Sequence, residues 1–146
     1  MPPTIRPATP DDLPALIGIE RESAGAAHWT RDQYASLIGK GAILVADIDG
    51  IVGAFICATV VAPDWEIENI VVAGELRRQG IAKALLGALI TAIREQGGHN
   101  IHLEVRESNQ PARRLYESYG FVQTGRRSAY YQHPSEDAIL YALGLT

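Results

Sequence analysis

The order of periodic segments predicts a mixed α/β (α+β) domain in which helices cover both faces of a central sheet. Three observations carry this. Over residues 100–106 apolar residues alternate, with Ile101, Leu103 and Val105 on one face and His102, Glu104 and Arg106 on the other, the period of a strand. Over residues 84–95 they recur at three and four, through Leu85, Leu86, Leu89, Ile90 and Ile93, the period of a helix. The two kinds of segment also interleave, in the order β-α-α-β-β-β-α-β-α-β-β, instead of separating into blocks.

Taken in order, Thr4-Ile5-Arg6 reads as a short first strand. Thr9-Pro10-Asp11-Asp12 then opens a helix, with a capping threonine, a proline in the first turn and an acid three residues past the cap. Leu13, Leu16, Ile17 and Glu20 continue it at helical spacing. Thr30-Arg31-Asp32-Gln33 is a second capping box, and Tyr34, Leu37 and Ile38 form the apolar stripe that follows. Between the two helices lies a small-residue loop, Ala24-Gly25-Ala26-Ala27-His28-Trp29. Residues 42–47 and 51–61 are β-rich and flank Asp49-Gly50, a strong hairpin signal. Ile67 to Val72 is a β-branched strand, a helix starts near Gly80, and Gly97-Gly98 stops it. A short helix is expected from about Pro111 to Tyr119, ended by Gly120, and strands over 121–131 and 138–143 close the chain.

At 146 residues the expectation is a single domain, 1–146, with one continuous core. The net charge of −4 argues against a general nucleic-acid binder, since affinity for phosphate backbones needs clustered Lys and Arg. The single cysteine, Cys57, lies in an apolar run, so no internal disulfide is expected and a reducing, cytoplasmic setting fits. No run of about eighteen apolar residues suggests a membrane span, and Met1-Pro2-Pro3-Thr4-Ile5-Arg6 lacks the apolar segment of a signal peptide.

Between the strand ending at Val72 and the next helix stands Arg77-Arg78-Gln79-Gly80-Ile81-Ala82, followed by Lys83. Glycine lets the backbone approach a ligand with no Cβ in the way, and the free amides of a helix start point at an anion. Three nearby cations add compensating charge. The residues alone leave two readings open, a phosphate cradle or a basic, exposed helix start.

The pattern Arg-x-x-Gly-x-Ala resembles the pyrophosphate loop of the GNAT acetyltransferase superfamily. The likeness extends through Leu103-Glu104-Val105-Arg106-Glu107-Ser108-Asn109 and Ala112-Arg113-Arg114-Leu115-Tyr116-Glu117-Ser118-Tyr119-Gly120-Phe121. It continues upstream at Glu20-Arg21-Glu22-Ser23 and His28-Trp29-Thr30, and downstream at Arg126-Arg127, Tyr130-Tyr131 and Glu136-Asp137-Ala138-Ile139. More narrowly, the chain resembles the bacterial ribosomal-protein alanine N-acetyltransferases, the RimI type.

That resemblance implies a GNAT fold with a mostly antiparallel central sheet, acetyl-CoA as co-substrate, and a protein N-terminus, possibly that of a ribosomal protein, as acceptor. It implies Glu104 as proton acceptor and Tyr116 as proton donor. The donor would be held by Ile70, Val71 and Val72, by Arg77, Arg78, Gln79, Gly80, Ile81, Ala82 and Lys83, and by Asn109. Trp29, Glu68, Tyr130 and Tyr131 would meet the acceptor. Each has a plainer reading: Glu104 on a solvated strand face paired with Arg106, Tyr116 and the other aromatics as packing, Asn109 as a helix cap.

Asp64, Glu66 and Glu68 recur at period two and share a face of an ideal strand unless a bulge breaks the register, so the base could come from this strand instead. These acids could equally protect an edge or attract a cationic substrate. His28, His99, His102 and His133 show no metal-ligand spacing, and no metal is expected. Two further readings remain: transfer to a small-molecule amine, or a CoA-binding or interaction module without catalysis.

Overall fold

The computed structural model describes residues 2–23, 29–61, 63–132 and 134–145. His28, His133 and most of the loop expected at residues 24–29 therefore lie outside the described residues. Among the described residues, seven strands and four helices follow the predicted order, and the strands are hydrogen-bonded in the sequence β1-β2-β3-β4-β5-β7-β6. The sheet is mixed and mostly antiparallel. The chain divides into two compact units, Met1–Thr59 with Glu68–Ala92, and Val60–Ile67 with Ile93–Thr146. Among the described residues no helix is long and apolar enough to cross a membrane.

The first unit holds β1 (Thr4–Pro7), α1 (Leu13–Arg21), α2 (Arg31–Gly39), β2 (Ile43–Ile48), β3 (Ile51–Val61, all but its last two residues) and the second half of β4 (Asp64–Val72). A 3₁₀ turn, Pro10–Asp12, leads into α1, and the Asp12 carboxylate accepts the Thr9 backbone N–H at 2.7 Å. The same carboxylate takes the Arg6 guanidinium at 2.8 and 3.0 Å, which ties β1 to the helix entry and holds the Asp12 carboxyl below its usual range. At α2 both halves of the predicted capping box form: Gln33 N donates to Thr30 Oγ1 at 3.2 Å, and Thr30 N to Gln33 Oε1 at 2.7 Å. Asp49 and Gly50 take φ of 53° and 87°, the left-handed pair that a two-residue hairpin turn needs. β1 and β2 pair antiparallel, as do β2 and β3. Leu16, Tyr34, Val45 and Phe55 are fully buried, each burial stabilising by about 1.5–3 kcal/mol for the aliphatic side chains and Phe.

Glu20 is also buried. Its carboxylate accepts the Tyr34 hydroxyl and the Trp29 backbone N–H, the latter at 3.2 Å. Burial, and then this carboxylate, push the Tyr34 phenol well up.

The second unit holds the first half of β4, β5 (Asn100–Arg106), α4 (Gln110–Ser118), β6 (Val122–Tyr131) and β7 (Glu136–Gly144). Trp65 pairs with Ile101 and Glu66 with His102 in a parallel ladder, which requires the long crossover that α3 (Ile81–Glu95) supplies. β5 pairs antiparallel with β7 along its whole length. Ile101, Leu103 and Val105 are buried as the alternation predicts, against a set that includes Ile139 and Tyr141. α3 ends on Gly97, at φ 78°, with the Gly98 N–H returned to Ile93 O at 3.1 Å. A Cβ on Gly98 would meet Ile93 Cγ2 at 2.6 Å, so that glycine is required by space. β7 begins two residues earlier than the sequence suggests, because Glu136 is anchored by Arg106 Nη1 at 3.2 Å and the Ser108 N–H at 2.7 Å.

Candidate active site

In the first unit, β4 ends at Val72, a 3₁₀ turn covers Gly74–Leu76, and α3 starts at Ile81. Ala84 N is the first to close onto Gly80 O, at 3.0 Å, so the amides of residues 81–83 precede the helical ladder. Gly80 has φ 78°, and a Cβ built there would meet nothing within 4 Å. Arg78 is left-handed as well, at φ 63°, a conformation costly for a residue that carries a Cβ and concentrated at functional sites. Arg77, Arg78, Gln79 and Lys83 are exposed, while Ile81 is buried and Ala82 half-buried. Arg77 Nε reaches Val72 O at 3.4 Å, and Gln79 Nε2 reaches Glu75 O at 3.2 Å. The open space, the helix start and the cations fit a pyrophosphate. Of the expected strand contacts, Val71 is buried, whereas Ile70 and Val72 are half-buried.

In the second unit, β5 presents His102 and Glu104 to an open cleft of about 220 Å³, shared with Glu66, Thr124, Arg127 and Tyr141. Glu104 does not pair with Arg106, its neighbour two residues along. Arg106 is taken by Glu136 at 3.2 Å and lies 4.3 Å over the Tyr131 ring. Glu104 instead forms an ion pair with Arg127, Nε to Oε1, at 3.0 Å. Tyr116 is buried on α4 with its ring edge-on to Phe121 at 5.7 Å and tilted against Tyr141 at 6.3 Å. Burial, and then the neighbouring Tyr131, push its phenol well above the ordinary value. Burial and then Glu104 also raise Tyr131.

Asn109 caps α4, its Oδ1 accepting Ala112 N at 3.2 Å, as the plainer reading expects. Asp64 is engaged, by His102 Nε2 at 3.0 Å and Asn100 Nδ2 at 3.1 Å, contacts that hold its carboxyl below the usual range. Glu68 accepts the Thr59 hydroxyl at 2.8 Å. Trp29 stacks on Tyr34 at 5.9 Å and packs against the core of its unit. Tyr130 is half-exposed and edge-on to Tyr131 at 5.2 Å. Among the described residues no group of three or more His, Cys, Asp or Glu side chains could hold a metal. Arg127 and His102 stand beside Glu104 without having been singled out from the sequence. The doublet Arg126-Arg127 was visible there, but its partners depend on cross-strand register.

The acetyltransferase (GNAT) family pattern matches residues 12–121. The [ribosomal protein bS18]-alanine N-acetyltransferase of Escherichia coli (strain K12) is 36% identical over 146 residues, covering 98% of each chain. That of Haemophilus ducreyi is 39% identical over 141 residues, covering 92% of this chain and 94% of its own. Among solved structures, the ribosomal-protein-S18-alanine N-acetyltransferase from Escherichia coli aligns with a TM-score of 0.89 at 34% identity, over 99% of this chain and 94% of that one. Ard1 from Thermoplasma volcanium gives the same TM-score at 28% identity, over 100% and 99%. The chain belongs to the GNAT acetyltransferase family and is an acetyl-CoA-dependent N-acetyltransferase.

Proposed function

We propose that residues 1–146 act as one cytoplasmic transferase domain that acetylates a protein N-terminal α-amine, the terminal alanine of ribosomal protein bS18 in particular. The observation that carries this is the match to bS18-alanine N-acetyltransferases over 98% of the chain. Proton energetics support an α-amine. With reference pKa values near 7.7–8.0 and 10.4, roughly 10–15% of an α-amine but only about 0.04% of a lysine is neutral at pH 7. A lysine therefore carries an extra ~3–4 kcal/mol of deprotonation cost, which a single carboxylate in an open cleft is poorly placed to offset.

Bound acetyl-CoA supplies an acetyl group activated as a thioester. The amides of residues 81–83, with Arg77, Arg78 and Lys83, hold its pyrophosphate, Gly80 leaves room for it, and the edge of Ile70–Val72 and Asn109 take the rest of the chain. Glu104 accepts the proton that the amine nitrogen loses as its bond to the acetyl carbon forms. Tyr116 returns a proton to the departing sulfur. Because burial raises its phenol, Tyr116 keeps its proton throughout the physiological range, as a donor must. Trp29, Glu68, Tyr130 and Tyr131 contact the acceptor.

The test is intact-mass detection of transfer to purified bS18, and to a basic peptide beginning with Ala, each with its N-terminus free or capped. A single acetyl on the free forms and none on the capped forms is expected. Efficient acetylation of a capped peptide overturns the α-amine assignment, and turnover of a free small amine with none of the peptide moves the acceptor to a small molecule.

A further inference from the structure

The ion pair between Arg127 and Glu104 lies in the cleft where proton acceptance is assigned. Among the described residues Arg127 is the ionic partner of Glu104, and its shortest contact runs from Nε to Oε1 at 3.0 Å. The Glu104 side chain is 21% exposed and that of Arg127 56%. An exposed pair of this kind adds little to stability. Its consequence is geometric: a carboxylate on a flexible side chain, sharing a cleft with the second acid Glu66, is given one preferred direction.

Arg127 is itself held in place. It pairs with Ala138 in the β6–β7 ladder, whereas the next pair is Tyr131 with Glu136, so residues 128–130 bulge opposite residue 137 alone. The bulge turns on Ala129, at φ 50°, whose N–H is fixed by Asp137 Oδ1 at 2.8 Å. Arg126 braces the same point, reaching Asp137 at 2.8 Å and Glu107 at 2.7 Å. Across the bulge, the Arg127 guanidinium lies 5.4 Å over the Tyr130 ring. A planar, permanently charged guanidinium can stack on the ring and present Nε to a carboxylate at once, which an ammonium cannot do.

We propose that Arg127 is a positioning residue for acetyl transfer, holding the Glu104 carboxylate in the one direction from which it takes the acceptor's proton. The proposal rests on Glu104 being that proton acceptor. A carboxylate released from Arg127 samples other rotamers, and the loss falls on turnover, because misdirected general bases cost rate more than they cost binding.

The test is a double-mutant cycle on the full chain with acetyl-CoA and the Ala-initiated basic peptide. The variants are Arg127→Ala, Arg127→Lys, Glu104→Gln and the Glu104→Gln, Arg127→Ala pair, each checked by circular dichroism and by acetyl-CoA affinity. Arg127→Ala should lower kcat about tenfold with the KM for acetyl-CoA unchanged within about twofold, and Arg127→Lys should recover part of the loss. In the Glu104→Gln background, Arg127→Ala should change kcat by less than about twofold, since the carboxylate it directs is already gone. An equal loss in both backgrounds, or no loss in either while Glu104→Gln is severely impaired, overturns the positioning role and leaves Glu104 as the base. Near-normal turnover of Glu104→Gln overturns both assignments together.

Discussion

Gly80 and Gly97 stand at the two ends of α3 with the same φ of 78°, and at each an added Cβ would find nothing within 4 Å. They are matched in strain and differ in what they face, since Gly80 borders the proposed pyrophosphate cradle and Gly97 closes the helix. Alanine at either site forces an L side chain into the left-handed region, costing about 1–2 kcal/mol and lowering Tm by about 2–8 °C. Only at position 80 should donor binding suffer. Gly80→Asp adds a carboxylate to the cradle. At about 5 Å, one phosphate charge repels it by about 1 kcal/mol in water-like surroundings and about 3 kcal/mol at an effective dielectric of 20. Taking the lower figure for each of two phosphates gives about 2 kcal/mol, roughly a thirtyfold loss of affinity. The assay is calorimetric titration of acetyl-CoA into each folded variant beside its thermal melt. Gly97→Ala should melt early and bind normally, and Gly80→Asp should bind at least about thirtyfold more weakly. Wild-type affinity in Gly80→Asp, or equal losses in Gly97→Ala and Gly80→Asp, would falsify the loop assignment.

Two other outcomes follow from the observed contacts. Tyr116→Phe should lower kcat by about 10²-fold or more while acetyl-CoA affinity holds, as expected of a group that acts in proton transfer. Since burial keeps this phenol protonated above its ordinary pKa near 10, an alkaline limb between pH 7 and 9 that vanished in Tyr116→Phe would contradict the assignment. Asp12→Asn removes a carboxylate whose pKa is depressed in the folded state by Arg6, so its contribution is present above the unfolded value of about 3.9 and is lost as pH falls through the folded one. Urea unfolding should find the variant about 1–3 kcal/mol less stable at pH 7, with the gap closing between about pH 4 and 2. A gap of the same size at pH 2.5 and pH 7 would sink the ion-pair account.

What the chain revealed in advance was local. The capping box at Thr30 and Gln33, the Asp49-Gly50 turn and the alternation through Ile101, Leu103 and Val105 each depend on residues within a few positions of one another, and each formed. Gly80 was visible for the same reason, because glycine after two arginines and before an apolar helix advertises a left-handed turn. Arg78 was not, since no property of arginine calls for φ of 63°, and its conformation is imposed by the path from Val72 to the helix. Partners set by register were hidden as well. Arg106 was the plausible neighbour for Glu104 along one strand, yet Glu136 and Tyr131 claim it across the sheet.

The bulge at residues 128–130 shows how far this non-local dependence reaches. A regular continuation of β6 past Arg127 would pair Ser128 with Asp137 and Ala129 with Glu136, and would carry Tyr131 away from Arg106. Two extra residues instead restore the Tyr131 pairing with Glu136, and the left-handed turn they require falls on Ala129, a residue with no preference for it. The compensation comes from Asp137, whose carboxylate accepts the Ala129 N–H and is held ionised below its usual range by that contact and by Arg126. One backbone irregularity thereby sets the places of Arg127, Tyr130 and Tyr131 together. The stretch that carries the Glu104 ion pair and the stretch expected to meet the acceptor are the same few residues, so a change in either role must pass through the geometry of the other.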